Sequence, residues 1–222
     1  MDLAQSLRFA RKNLEETLPR ETLEAIDNVT EEVINERIAH QSLKVGDMIP
    51  DFVLPNHNGE LIEIKKIFKR GATIISFYRG TWCPFCNVEL KALEQALPAI
   101  SMLGGNVVTI SPQTFVKSPQ SIEEKKLNFE MLIDKSNQVA RQFNIVFKIP
   151  KKSRSYYRSI GIYLPKYNGD ASFELPIPAT FIVNQDGKID YAYVEPDHTQ
   201  RLDPVEIITI IRQMNNGDVL NS

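Results

Sequence analysis

The two cysteines of the chain, Cys83 and Cys86, are separated by only two residues. The apolar run 72–77 precedes them directly, and a pattern of apolar residues at helical spacing follows. A two-residue gap at the start of a helix brings two sulfurs within disulfide reach, and a preceding strand would hold the pair at a sheet edge. The spacing therefore indicates a redox pair.

The predicted position of the pair favours thiolate chemistry. A free thiol with a pKa of about 8.5 is only slightly ionised at neutral pH, whereas unpaired N–H groups at a helix N-terminus stabilise an anion. Arg79 is close enough in sequence to add positive charge, and Trp82 is predicted to cover the sulfurs. Either cysteine could attack a disulfide or a peroxide, and the other could then close an internal disulfide. This chemistry requires no metal and no organic cofactor.

Two other interpretations of the cysteines are weaker. They could be buried apolar residues, but the strand before, Pro84 between them and the helix after favour a redox role. They could bind zinc, but a structural zinc site needs four ligands, and the histidines at 40, 57 and 198 are far apart in the sequence. We therefore predict no metal site.

Composition excludes several classes of protein. With 222 residues, 42% hydrophobic residues and a net charge of -2, the sequence is typical of a globular protein without nucleic-acid or membrane partners. The first residues resemble neither a signal peptide nor a transit peptide, so we expect a cytoplasmic location. A basic cluster around Tyr156 and Tyr157 is interpreted as a solvated surface, with a phosphate or partner site as the alternative.

Residues 1–42 are predicted to form an N-terminal arm of two helices. Apolar residues repeat on one face from Leu3 to Leu18, Pro19 interrupts the pattern, and a second apolar face runs from Leu23 to Ile38. Neither helix can bury its apolar face alone. The arm must pack on the rest of the chain or on a second copy, in which case it would form a homodimer.

Residues 43–222 are predicted to form one α/β domain, because short strands and helices alternate along them. Asn58-Gly59 and Asp186-Gly187 predict hairpin turns, and the unbroken apolar run 71–78 predicts a central strand. Pro98 is expected to kink or end the helix that follows the cysteines. The remaining predicted strands and helices are strands at 106–110, 129–133, 180–183 and 188–194, and helices at 121–127, 136–143, 156–163 and 204–214.

Three segments carry a family resemblance. The stretch 77–90 resembles the active-site segment of the thioredoxin-fold superfamily, and 45–54 and 178–188 resemble the entry and the last hairpin of peroxiredoxins. The best fit is the peroxiredoxin-like branch (alkyl hydroperoxide reductase/thiol-specific antioxidant) that carries a Cys-x-x-Cys. The resemblance implies a thioredoxin-like fold, a central mixed sheet flanked by helices, here with the N-terminal two-helix extension.

The resemblance also implies roles for individual residues. Cys86 falls on the peroxidatic cysteine and is expected to attack first, and Cys83 falls on the threonine of ordinary peroxiredoxins and is expected to resolve the product. The arginine that the family places before the last hairpin is Pro178 here, so Arg79 and Thr81 are expected to stabilise the thiolate or the departing oxygen.

A thioredoxin alignment implies different roles for the same residues. In that alignment Cys83 attacks, Cys86 resolves, and Pro178 matches the cis-proline that receives substrate backbone, with Trp82 beside it. An Ile177–Pro178 bond can adopt the cis form at a cost of only about 0.5–1 kcal/mol.

The function predicted from these residues is a thiol-dependent peroxidase that is reduced by thioredoxin or a similar dithiol. One thiolate attacks the peroxide, the neighbouring thiol condenses with the sulfenic acid, and an external dithiol reduces the disulfide. Two alternatives remain: a thioredoxin-like protein disulfide reductase, and a non-catalytic interaction protein that senses redox state.

Overall fold

The structure is a computed structural model that describes residues 2–114 and 127–217. Its α-helices are α1 (Leu3–Thr17), α2 (Arg20–Asn35), α3 (Ile38–Gln41), α4 (Ile64–Phe68), α5 (Pro84–Met102), α6 (Gln138–Gln142), α7 (Arg154–Ser159), α8 (Leu164–Asn168) and α9 (Pro204–Asn216). Its strands are β1 (Val53–Pro55), β2 (Leu61–Glu63), β3 (Thr73–Phe77), β4 (Asn106–Ser111), β5 (Glu130–Ile133), β6 (Val146–Lys148), β7 (Glu174–Pro176), β8 (Ala179–Val183) and β9 (Ile189–Val194).

A mixed five-stranded sheet forms the centre of the molecule, in the order β5-β4-β3-β8-β9. Strand β3 pairs in parallel with β4 and antiparallel with β8, and every residue of β3 is buried. This burial explains why apolar and polar residues do not alternate along it, since both faces of the sheet are covered. The predicted α/β class and central strand are confirmed.

The register of the sheet sets the position of the cysteine motif. Phe77, the last residue of β3, pairs with Ile110 on one side and with Ala179 on the other. The chain therefore leaves β3 beside the start of β8, so the motif and Pro178 lie at the same edge of the sheet.

The N-terminal arm packs on the main domain. Helix α1 packs against α5 through the buried Leu3 and Leu7, and α2 packs against α7. Arg11 joins the two arm helices through a double hydrogen bond to Asp27, at 2.7 and 2.9 Å. Fully burying an aliphatic side chain contributes about 1.5–3 kcal/mol, so these contacts stabilise the arm on the main domain.

Several local predictions differ from the structure. Helix α5 continues through Pro98 to Met102, so the prediction that it could end there is wrong. Leu93 and Ile100 on either side are buried in the core, and this packing offsets the roughly 3 kcal/mol that an internal proline costs. The short helix α4 and the antiparallel pair β6–β7 were not predicted. The helix predicted at 121–127 falls almost entirely outside the described residues.

Candidate functional site

A tight loop after β3 turns the chain into α5. Gly80 has a φ of +142°, a region that side chains rarely adopt, and a Cβ there would lie 2.5 Å from Nε1 of Trp82. Cys83 is the N-cap of α5 and Pro84 its first residue, where a missing N–H costs no hydrogen bond. The strand, glycine and proline together place both sulfurs at the helix N-terminus.

Both cysteines are reduced and deeply buried. Cys83 is 2% exposed and Cys86 is fully enclosed. Cys86 lies in the first turn of α5, and its Sγ accepts a hydrogen bond from Nη2 of Arg201 at 3.2 Å. A guanidinium therefore contacts the thiol pair directly.

Arg201 is held by a buried network. Its Nε donates to Oε2 of Glu89, which lies one helical turn after Cys86, and Oε1 of Glu89 accepts from the Ser76 hydroxyl at 3.0 Å. Its Nη1 donates to the backbone carbonyls of His198 and Gln200, at 2.7 and 2.5 Å. Each nitrogen of the guanidinium thus has a hydrogen-bond acceptor, which fixes Nη2 against the sulfur.

Electrostatics separates the two thiols. Burial alone would raise the pKa of Cys83, but a hydrogen bond from the Cys86 thiol and the charges of Arg79 and Arg201 outweigh it and lower that pKa to about 5. The pKa of Cys86 is raised well above its usual value by burial and by the neighbouring Cys83 thiolate, to which it donates. These directions are those of a pair that shares one negative charge, with Cys83 the more acidic thiol.

Arg79 is a second buried cation at the site. It is 3% exposed, its Nη2 lies 3.4 Å from the phenol oxygen of Tyr157, and its guanidinium carbon lies 4.9 Å from the Trp82 ring centre. Its Nε is buried without a hydrogen-bond partner among the described residues. Arg79 thus has a donor free for an oxygen atom.

The Trp82 ring lies among other aromatic rings. Its centre is 6.4 Å from the rings of both Tyr157 and Tyr167, and its buried Nε1 has no hydrogen-bond partner in the described part of the chain. The two tyrosines come from α7 and α8, so the segment that contains the basic cluster also contributes to the wall of the site.

Thr81 points to a different partner than expected. Its backbone N–H and its hydroxyl both lie within hydrogen-bond distance of Oε1 of Gln113, at 2.7 and 3.1 Å, and its carbonyl accepts from Asn87. These contacts tie the loop to the end of β4. Thr81 therefore stabilises the loop that leads into the cysteine motif.

Pro178 lies at the sheet edge that the register requires, and it is buried. Among the described residues no peptide bond is cis, so the expected cis form of Ile177–Pro178 is wrong. The antiparallel pairing of β8 with both neighbours continues up to Ala179, and a trans bond is compatible with it.

Sequence reasoning missed Arg201, Glu89 and Gln113. Glu89 follows Cys86 by three residues, so helical spacing alone could have placed it beside the sulfur. Arg201 lies 115 residues from Cys86 in a loop after β9, and no local pattern points to it.

Comparison with known proteins identifies the family. The model of the AhpC/TSA family matches residues 45–192, which is more than half of the chain. The chain belongs to the AhpC/TSA family. The arm, residues 1–42, lies outside the matched segment.

Curated relatives of this AhpC/TSA protein include peroxiredoxins and a thiol-disulfide oxidoreductase. "Peroxiredoxin Bcp" of Escherichia coli K12 is 26% identical over 151 residues, covering 68% of this chain and 85% of that protein. "Putative peroxiredoxin bcp" of Haemophilus influenzae is 34% identical over 103 residues, covering 46% of this chain and 66% of that protein. These matches confirm the predicted class, a peroxiredoxin-type thiol-dependent peroxidase.

A solved structure supports the fold. "Peroxidoxin BcpB" from Mycobacterium tuberculosis superposes with a TM-score of 0.61 at 19% identity, and the match covers 78% of this chain and 98% of that one. The thioredoxin-like fold of the AhpC/TSA protein is therefore confirmed. No helix among the described residues is both long and apolar enough to cross a membrane.

Proposed function

We propose that this AhpC/TSA protein reduces hydroperoxides through a dithiol–disulfide cycle of Cys83 and Cys86. The observation that carries the proposal is the contact between Arg201 and Cys86 beneath a helix N-terminus, with Arg79 also buried at the pair. Two fixed guanidinium groups supply the positive charge that a thiolate and a departing oxygen anion require. The substrate class, a hydroperoxide, and the reductant, thioredoxin or a similar dithiol, follow from the family.

The charge distribution supports Cys83 as the attacking thiolate. Its sulfur attacks the outer peroxide oxygen and becomes a sulfenic acid, while the O–O bond breaks and the second oxygen leaves as an alkoxide that takes up a proton. The Cys86 thiol then attacks the sulfenic sulfur, which forms the disulfide and releases water. An external dithiol reduces the disulfide and is itself oxidised. The reverse order, with Cys86 first, is the one implied by the family alignment.

The remaining residues have supporting roles in this proposal. Arg79 stabilises the thiolate and, through its free Nε, the departing oxygen. Trp82 and Pro178 are the residues that we propose contact the substrate, and Thr81 holds the loop in place. The protein would act in the cytoplasm.

The second candidate function is protein disulfide reduction. It is favoured by the position of Cys83 as the N-cap of α5 and by its lowered pKa of about 5, which suit a thiolate that attacks a substrate disulfide. In this case Cys86 would resolve the mixed disulfide and no peroxide would take part.

Steady-state assays with a shared reductant separate the two functions. The protein is supplied with thioredoxin, thioredoxin reductase and NADPH, and oxidation of NADPH is followed with hydrogen peroxide, cumene hydroperoxide or insulin disulfide as substrate. The proposal expects turnover with a peroxide that depends on both cysteines. Turnover confined to insulin, measured against the background of thioredoxin alone, would support the disulfide reductase.

A further inference from the structure

The N-terminal arm reaches the back of the thiol site. Oγ1 of Thr30, on the arm helix α2, lies 2.9 Å from Nδ1 of His198, a residue 168 positions further along the chain. Thr30 lies outside the segment that matches the family model. The contact therefore joins the N-terminal arm to the loop that follows β9, and both lie outside the segment that the family model matches.

From His198 the contacts continue to the cysteine. The backbone carbonyl of His198 accepts a hydrogen bond from Nη1 of Arg201 at 2.7 Å, and Nη2 of the same guanidinium donates to Cys86. The guanidinium of Arg201 thus links the His198 backbone to the Cys86 sulfur through two hydrogen bonds. A displaced His198 carbonyl would remove one of the two acceptors of Nη1, leaving the Gln200 carbonyl alone to hold that nitrogen.

The environment of His198 shows how its ring is fixed. The residue is 7% exposed, and its ring meets that of Phe85 edge to face, with the centres 5.5 Å apart. Burial, with the charges of Arg79, Arg201 and Arg11, holds the pKa of His198 well below its usual value, so the imidazole is neutral. A neutral ring adds no charge to the site, and its contribution is therefore one of position.

We propose that Thr30 and His198 are positioning residues for the reaction, and that the arm holds Arg201 against Cys86 through them. This inference rests on the proposed function for its catalytic meaning. Its physical content, the placement of Arg201 beside the thiol pair, can be measured without any substrate.

The test compares identical substitutions on one helix. Thr30→Val removes the hydroxyl that meets His198, and Thr30→Ser retains it. Thr22→Val is the matched control, since Thr22 also lies on α2 and is buried, and its side chain has no contact with the loop after β9 among the hydrogen bonds of the described residues. The readout is the pH dependence of the ultraviolet thiolate absorbance of the reduced protein, which requires neither peroxide nor reductant.

Thr30→Val is expected to shift the midpoint of thiolate formation upward, so that the thiolate population on the acidic side of the midpoint falls roughly threefold or more. Thr30→Ser and Thr22→Val should retain the midpoint of the wild type. Coincidence of the Thr30→Val and wild-type curves would overturn the inference, and so would an equal shift in Thr22→Val, which would indicate general loosening of the arm.

A second variant guards against misfolding of Thr30→Val. His198→Phe keeps an aromatic ring against Phe85 but cannot bond to Thr30, and it should raise the midpoint to the same extent. In the double variant the two shifts should not add, because both substitutions break one contact; additive shifts would contradict the inference. If these shifts occur but no variant and no wild-type protein reacts with peroxide, the proposed function fails while the positioning role stands.

Discussion

Nε of Arg201 lies 2.5 Å from Oε2 of Glu89, and their side chains are 2% and 5% exposed. The pair joins the loop after β9 to the helix that carries the cysteines. A buried ion pair stabilises a fold little compared with apolar residues of the same size, but removing one partner leaves an isolated buried charge. The pair holds a guanidinium against the Cys86 sulfur.

Replacing Glu89 by alanine should destabilise the protein strongly. The guanidinium of Arg201 would lose its carboxylate in a site closed to water, and the free energy of unfolding should fall by about 3–5 kcal/mol. Urea denaturation of the reduced protein measures this. Glu63→Ala is the control, because Glu63 pairs with Lys66 on the surface and its loss should cost less than about 1 kcal/mol. Equal losses in the two variants would refute the prediction.

Replacing Arg201 by methionine should weaken the acidity of the thiol pair. The substitution keeps much of the apolar volume but removes the charge that lowers the pKa of Cys83 and the donor that contacts Cys86. The midpoint of thiolate formation should rise by at least about one pH unit, a tenfold loss of thiolate below the midpoint. Arg141→Met serves for comparison, because Arg141 pairs with Glu174 away from the cysteines and should leave the midpoint unchanged. An unchanged midpoint in Arg201→Met would show that Arg79 alone sets the charge.

The stability of the reduced protein should depend on pH through Cys83. The pKa of this thiol is about 5 when folded and about 8.5 when unfolded, so its contribution is full above the unfolded pKa and is lost as the pH falls through the folded one. The raised pKa of Cys86 acts with the opposite sign, but only above about pH 8.5, where the unfolded thiol would ionise. Between about pH 5 and 8 the unfolding free energy of the wild type should therefore rise more steeply than that of Cys83→Ser. Parallel curves for the two proteins would argue that Cys83 is not the ionised thiol.

Gly80→Ala should destabilise the loop that precedes the cysteines. Alanine would be strained at this positive φ, and its Cβ would meet Trp82 and Gln113 at 2.5 and 2.8 Å. We expect a loss of at least about 2 kcal/mol in thermal or urea unfolding. Gly161→Ala isolates the clash, since Gly161 also has a positive φ, +83°, but nothing lies within 4 Å of a Cβ there. A loss no larger than in that control would mean that the loop adapts.

Local sequence patterns predicted most of the fold and the cysteine motif, but not the buried residues that pack behind it. Apolar periodicity located the arm helices, and the unbroken run before the motif located β3, because both signals come from neighbours in the sequence. Arg201 could not be found in this way, since only the tertiary structure brings a loop after β9 to the helix with Cys86. The guanidinium that contacts Cys86 therefore comes from a part of the chain that the motif does not reach.

The position of charge within the pair was also beyond sequence reasoning. The motif predicted a thiolate, and two alignments assigned the first attack to different cysteines. The hydrogen bond between the thiols and the placement of Arg79 lower the pKa of Cys83. Both depend on the loop geometry that Gly80 and Thr81 set, which the sequence alone does not give.

The central claim is that Cys83 attacks a hydroperoxide, and rapid mixing of the fully reduced protein with hydrogen peroxide tests it most directly. Trp82 is the single tryptophan and lies beside Cys83, so its fluorescence reports oxidation of the pair. The wild type and Cys86→Ser should show a fast, peroxide-dependent change that Cys83→Ser lacks, with mass spectrometry detecting sulfenic acid at Cys83 in Cys86→Ser. A fast change that survives only in Cys83→Ser would contradict this order of attack, and slow oxidation of all three proteins would contradict the peroxidase itself.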